Sequence, residues 1–404
     1  VASALGGVRD MRRDGVLTQN LVFGMFYRMP PVACPMGWSA LLRSLGGRIR
    51  ADEAYGFSTG QGALRWAFGV LAQASPERST VILPAWTCWS VAAAVEYAGL
   101  RIALVDLDPA TLDFEPAALA ERVGPDTLAI VSTHLLGRRP DLTSHARLAA
   151  AAGAWLVEDA AQAQDPRAGP APGVAVRMTS TARGKPLSTS GGGWLQVGLA
   201  GPVGAFARAW PNVPPAARGG EAIRAAKAVL VDGLLHPRAF WLPARLPFLG
   251  IGRTRWPDRI EVRAASRQQQ RLYPVLAAGM DRLLAGRRIA ALAYADALAG
   301  LPGPQPGGCD IPDYAPHRYP VMLTVPWLDA APRVRARAAQ AGVCGLYPRA
   351  LSELEQVRAL RVDGDAPMPG AERIARHLVT LPTHAGVGPR ERERALASIG
   401  EFSP

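Results

Sequence analysis

Imine chemistry needs an amine that can shed its proton, which lysine supplies and arginine does not. The chain holds only two lysines, Lys185 and Lys227, among 45 basic residues. Lys185 lies in Ser180-Thr181-Ala182-Arg183-Gly184-Lys185-Pro186-Leu187, and Gly191-Gly192-Gly193 follows it. Twenty-six residues earlier, Asp159 closes the apolar run Trp155-Leu156-Val157 and opens Asp159-Ala160-Ala161-Gln162. Farther upstream, Thr59-Gly60-Gln61 precedes a helical run and can cradle an anion with its backbone N–H groups.

A lysine, a carboxylate at a strand end and an anion cradle are what a pyridoxal-5′-phosphate (PLP) site requires. The lysine amine makes the Schiff base, the carboxylate keeps the pyridine nitrogen protonated, and a helix start holds the phosphate. A flat side chain usually covers the ring face. Each residue also has a plainer reading. Lys185 can be a surface lysine, Asp159 a helix N-cap and Gly60 a turn residue. His134 can be a satisfied strand-end histidine, and Trp86 and Trp89 can be core packing. The joint spacing of Asp159, Gln162 and Lys185 favours the functional reading.

The elements that must position these residues alternate. Thr80 to Leu83 reads as a strand, Ser90 to Tyr97 as a helix, and Arg101 to Val105 as a strand. Pro116 to Arg122 follows as a helix, Leu128 to Thr133 as a strand, His145 to Ala152 as a helix and Trp155 to Val157 as a strand. Strands alternating with helices indicate a mostly parallel sheet covered on both faces, whose ligands gather at the carboxyl ends of its strands. Arg263 to Leu301 reads as a long helical region kinked or interrupted at Pro274. A strand at Tyr319 to Thr324 and helices at Arg333 to Ala341 and Arg390 to Ile399 complete a smaller α+β part.

These motifs resemble the DegT/DnrJ/EryC1/StrS family of PLP-dependent sugar aminotransferases. The resemblance rests on Glu158 to Gln162, Ser180 five residues before Lys185, and Gly191 to Gly193. It rests also on His134-Leu135-Leu136-Gly137, Asp106-Leu107-Asp108-Pro109, His317-Arg318-Tyr319 and Leu381-Pro382. It implies an aspartate-aminotransferase-like α/β fold, PLP fold type I, with a large seven-stranded-type domain and a smaller C-terminal one. The expected divisions are an N-terminal segment at 1–55, a PLP-binding domain at 56–265 and a long helix with the small domain at 266–404. Lys185 would hold the cofactor and move the proton, and Asp159 would pair with the pyridine nitrogen. Gln162 would lie near the ring hydroxyl, Gly60, Gln61 and Ser180 at the phosphate, and Cys88 or Trp89 at the ring face. His134, Gly191, His317 and Tyr319 are the substrate candidates. Cys88 stands where the family usually has an aromatic residue, and Gly191 where it often has an acidic one.

The activity implied is transfer of an amino group, from glutamate, to a keto-sugar nucleotide, in polysaccharide or antibiotic-sugar biosynthesis. The alternatives are a PLP-dependent sugar dehydratase, whose family branch has His in place of the lysine, and a PLP-fold protein turned binding or regulatory subunit. The family implies a homodimer. Residues 199–260 interrupt the rhythm with Trp, Phe and Arg, and are expected to be an insertion at the acceptor side or a dimer-contact flap. Within them, Ala226 to Leu235 reads as a core or dimer helix rather than a membrane-surface one.

Composition bounds the rest. The formal charge of +12 suits a phosphorylated substrate or a solvated surface equally, and no interleaved basic and aromatic motif indicates nucleic acid. The cysteines Cys34, Cys88, Cys309 and Cys344 are isolated, which suggests neither a metal site nor disulfides and fits a cytoplasmic setting. The sequence shows no apolar run long enough to span a membrane and no evident signal peptide.

Overall fold

The computed structural model describes residues 28–30, 54–182, 184–185, 187–189, 191–217, 230, 233–234, 236–244, 255–299 and 314–402. Most of the N-terminal segment expected at 1–55 and most of the helix expected at Ala226 to Leu235 lie outside the described residues.

The central sheet has seven strands: β1 (Tyr55–Phe57), β2 (Thr80–Pro84), β3 (Arg101–Val105), β6 (Thr127–Thr133), β7 (Trp155–Asp159), β8 (Val176–Ser180) and β9 (Gly193–Val197). Their spatial order is β1-β9-β8-β7-β6-β2-β3. Strands β3, β2, β6, β7 and β8 run parallel, whereas β9 is antiparallel to both β8 and β1. Parallel strands covered on both faces read as unbroken apolar runs. Accordingly Thr80–Pro84 and Thr127–Thr133 are buried at every position. Between β3 and β6, β4 (Leu107–Asp108) and β5 (Asp113–Phe114) form a separate ribbon.

The crossovers are α1 (Gly60–Ala74), α2 (Trp89–Tyr97), α3 (Pro116–Arg122) and α4 (Leu142–Ala152). Thr59 caps α1, its hydroxyl accepting from Gly62 N at 3.1 Å. Asp141 caps α4 by accepting from Ser144 N at 3.1 Å, and Gly153, at φ 66°, ends it in the left-handed conformation. After β9 come α5 (Val203–Ala209) and the short α6 (Trp241–Ala244).

The long helical region is two helices, α7 (Arg267–Ala277) and α8 (Met280–Ala297). Contrary to the sequence expectation, the break falls after Pro274. Pro274 cannot donate to the preceding turn, but its carbonyl still accepts from Ala278 N at 3.1 Å, so α7 continues past it. Gly279, outside the helical φ/ψ region, makes the break. A second sheet of β10 (Arg318–Met322), β11 (Cys344–Gly345) and β12 (Leu378–Pro382) is antiparallel, in the order β10-β12-β11. It shares a small core with α8, α9 (Pro332–Gln340) and the C-terminal helix at Pro389–Gly400, built from Tyr294, Tyr319, Leu381 and Ile399.

The chain between β11 and β12 belongs by packing to the large core: Tyr347, Leu351, Val357, Met368 and Ile374 all join it. Its anchor is Asp106, whose two carboxylate oxygens accept from Gly370 N and Ala371 N, both at 2.8 Å. This return carries Tyr347 to the carboxyl edge of the central sheet.

Candidate active site

Four adjacent parallel strands deliver the candidates to one edge. In the order β8, β7, β6, β2 their carboxyl ends carry Ser180, Asp159, His134 and the Thr87-Cys88-Trp89 turn. Gly60, Gln61, Gln162, Lys185 and Gly191 lie in the loops and the helix start bordering that edge.

Asp159 is 2% exposed. One carboxylate oxygen accepts from Ala161 N at 3.0 Å, and its backbone carbonyl accepts from His134 N at 2.9 Å. Burial pushes its carboxyl up, against the opposing pull of the Ala161 hydrogen bond and the Lys185 charge. A buried carboxylate so placed needs a cationic partner to stay ionised. Glu158, one residue earlier, already has one in Arg177. Its carboxylate is bonded to the Arg177 guanidinium and lies 2.8 Å from His134 Nε2. Burial pushes Glu158 up, but the His134 hydrogen bond and the Arg177 charge prevail, and the net shift is down. Burial also lowers Arg177, yet a guanidinium stays protonated at neutral pH, so the pair is ionic.

Gln162 is fixed at both ends of its amide. Its oxygen accepts from Leu136 N at 3.0 Å, and its nitrogen donates to the Tyr347 phenol oxygen at 2.8 Å. Leu136 holds a left-handed φ of 56° in the turn that presents this N–H. Tyr347 is the site residue that sequence reasoning misses. Nothing in Gly345-Leu346-Tyr347-Pro348 marks it, because its partners lie 185 residues away or more.

The start of α1 sits on β8 and β9. A Cβ on Gly60 would meet Ser180 Oγ at 3.3 Å, and one on Gly193 would meet Gly60 Cα at 2.5 Å and Gly60 N at 2.8 Å. Glycine at both places lets the helix start close on Ser180. Helix geometry leaves the first N–H groups of α1 without intrahelical acceptors, and Thr59 satisfies only that of Gly62 by its side chain. Gly60, Gln61 and Ser180 Oγ can therefore hold a phosphate. Gly191, at φ 145°, stands beside this start, its carbonyl accepting from Thr181 Oγ1 at 3.0 Å.

Lys185 is half-buried, and its charge bears on both Asp159 and His317. His317 is buried, and burial first, then the charges of Lys185, Arg287 and Arg318, hold its ring neutral, well below the usual histidine range. Cys88 precedes α2, with its thiol 3.0 Å from Ser90 Oγ. Trp89 lies with its ring 5.3 Å from the Arg349 guanidinium. Trp86 is fully buried and donates to the Tyr347 carbonyl at 3.0 Å. Tyr319 is spent on the small core, 5.6 Å from the Tyr294 ring, so its ring is not brought to the edge with the others.

The polar atoms left over test whether a ligand fits here. Among the described residues, Thr87 Oγ1, Trp89 Nε1, Thr133 Oγ1, Glu158 Oε2 and His317 Nδ1 are buried without a hydrogen-bond partner. Buried polar groups are ordinarily paired. These atoms, together with the Gly60–Ser180 cradle, suit a polar, phosphorylated ligand such as PLP. Among the described residues no group of three or more His, Cys, Asp or Glu side chains could hold a metal ion.

Residues 40–193 match the model of the DegT/DnrJ/EryC1/StrS aminotransferase family, the segment that contains this edge. The chain resembles that family over this segment, which is less than half of its length. It is 32% identical over 114 residues to a pleiotropic regulatory protein of Geobacillus stearothermophilus, covering 28% of this chain and 30% of that one. It is 34% identical over 82 residues to a UDP-2-acetamido-2-deoxy-3-oxo-D-glucuronate aminotransferase of Pseudomonas aeruginosa, covering 20% of this chain and 23% of that one. The chain thus spans under a third of the length of these curated relatives. The fold extends much farther than the sequence likeness. A Helicobacter pylori aminotransferase involved in the biosynthesis of pseudoaminic acid superposes with a TM-score of 0.66 at 16% identity, over 93% of this chain and 98% of that one. The fold is therefore the aspartate-aminotransferase-like fold type I. Among the described residues no helix is long and apolar enough to cross a membrane.

Proposed function

We propose that the chain is a PLP-dependent aminotransferase that moves an amino group from glutamate to a keto-sugar nucleotide, working as a homodimer. The observation that carries this reading is the convergence of Asp159, Lys185 and the Gly60–Ser180 cradle on the ends of adjacent strands. When bound, PLP supplies an electron sink for the carbon that loses its proton. The remaining work falls to the chain. Lys185 Nζ would hold the cofactor through its aldehyde, and the same amine would hold and move the substrate proton. The Asp159 carboxylate, costly to ionise alone, would pair with the ring nitrogen, whose positive charge would hold it ionised. Gln162, its amide fixed by Leu136 and Tyr347, would lie near the ring hydroxyl. Gly60, Gln61 and Ser180 would fix the phosphate.

The sugar-nucleotide acceptor draws support from the Pseudomonas aeruginosa relative, which bears a UDP-sugar in its name, and from the net charge of +12, which suits a diphosphate. The test is spectroscopic. Glutamate added to the PLP-loaded protein should bleach its visible band, and a keto-sugar nucleotide should restore it. A stable band that no amino acid alters would instead support the regulatory reading.

A further inference from the structure

A PLP ring needs a flat side chain against one face, and the turn after β2 does not supply one. Cys88 is too small. Trp86 is fully buried in the core, and Trp89 lies by Arg349. Tyr347 comes to the same place from the other end of the chain. Its phenol oxygen accepts from Gln162 Nε2 at 2.8 Å, and both Cys88 and the Asp159 carboxylate lie close enough to act on it. The residue is 7% exposed. Its backbone is held at a left-handed φ of 40°, which a bulky residue adopts only when its surroundings enforce it. Trp86 does part of that enforcing: its indole N–H donates to the Tyr347 carbonyl, and its ring meets the phenol edge-on at 5.3 Å. Strain of this kind, a polar tip bonded to a site glutamine, and contact with Cys88 are three separate marks on one side chain.

We propose that Tyr347 is a cofactor-binding residue, its phenol ring serving as the aromatic wall in the space that Cys88 leaves open and its hydroxyl fixing Gln162. This rests on the PLP reading above. The arrangement makes the ring wall a gift of the segment between β11 and β12 rather than of the turn after β2. Burial pushes the phenol well above its ordinary range, so its hydroxyl stays protonated through neutral pH.

The experiment is a set of PLP titrations followed by absorbance, with inorganic phosphate binding as the control for an intact cradle. Tyr347→Leu keeps the core filled and removes the ring. It should weaken PLP about tenfold, in keeping with the strength of an aromatic contact, and leave phosphate affinity unchanged. Tyr347→Phe should keep PLP affinity within about threefold of wild type, since the ring remains. Adding Cys88→Phe to Tyr347→Leu should restore most of the lost affinity by supplying a ring from the other wall. Wild-type affinity in Tyr347→Leu, or tighter binding, overturns the proposal, because the phenol would then be mere packing or an obstruction. Failure of Cys88→Phe to rescue a weakened Tyr347→Leu overturns the ring-wall role. Failure of the unaltered protein to take up PLP at all overturns both this proposal and the reading beneath it, and is told apart by occurring before any substitution.

Discussion

The carboxylate of Glu158 and the guanidinium of Arg177 are bonded to each other in the interior, 1% and 3% exposed, one residue from Asp159. They join neighbouring strands, β7 and β8, at paired positions. A charge pair this deep costs much to desolvate, so its net worth is small while the cost of splitting it is large. Arg177→Met should therefore destabilise the fold by about 3–5 kcal/mol, because Glu158 would remain as an uncompensated buried charge. The double substitution Arg177→Met with Glu158→Gln should recover a good part of that loss. Urea unfolding of the wild type and the two variants checks this; equal stability of Arg177→Met and wild type would show that the pair is not the buried ion pair described.

Gly193→Ala probes the close approach at the helix start. The added methyl would sit 2.5 Å from Gly60 Cα, against backbone that cannot swing aside. The start of α1 should shift away from Ser180, with a stability loss of about 1–3 kcal/mol as is usual for overpacking. Affinity for PLP should fall sharply while affinity for unphosphorylated pyridoxal stays the same. Equal losses for both ligands would separate the cradle from phosphate binding.

A good part of this arrangement is legible in the sequence. The buried strands β2 and β6 appear as apolar runs because parallel strands have no solvent face to mark with polar residues. Lys185 stands out because only one other lysine competes with it. Asp159 and Gln162 stand out because they lie three positions apart at a strand end. What is not legible is tertiary. The reversal of β9 depends on its pairing with β1 and β8, which no local pattern encodes. Tyr347 reaches the edge only because Asp106 captures Gly370 and Ala371 and folds the late chain back. Tyr319 follows His317 by two residues, as an alternating strand pattern suits, yet its ring goes to the small core while His317 feels the Lys185 charge.

His384 gives the protein an acid limit. Its Nε2 donates to the Pro30 carbonyl at 2.9 Å and its Nδ1 accepts from Gly386 N at 3.2 Å, an arrangement only the neutral ring can make. Burial, chiefly, brings its pKa down to about 4. The unfolded chain takes up this proton near pH 6.5 and the folded chain only near 4, so stability is intact above 6.5 and is lost progressively as pH falls toward 4. The loss attributable to this residue is at most about 3 kcal/mol. His384→Gln should flatten that part of the profile in denaturant unfolding between pH 7 and 4. An unchanged slope would mean that the ring already carries its proton in the folded state.

The account stands on Lys185 as the point of cofactor attachment, and the direct measurement is peptide mapping after reduction. Sodium borohydride converts a lysine–cofactor imine into a stable amine that marks its peptide by mass. The PLP-loaded protein should carry that mark on the peptide containing Lys185, and Lys185→Ala should carry none. A mark on Lys227, or no mark on a protein that has demonstrably bound PLP, would contradict the account.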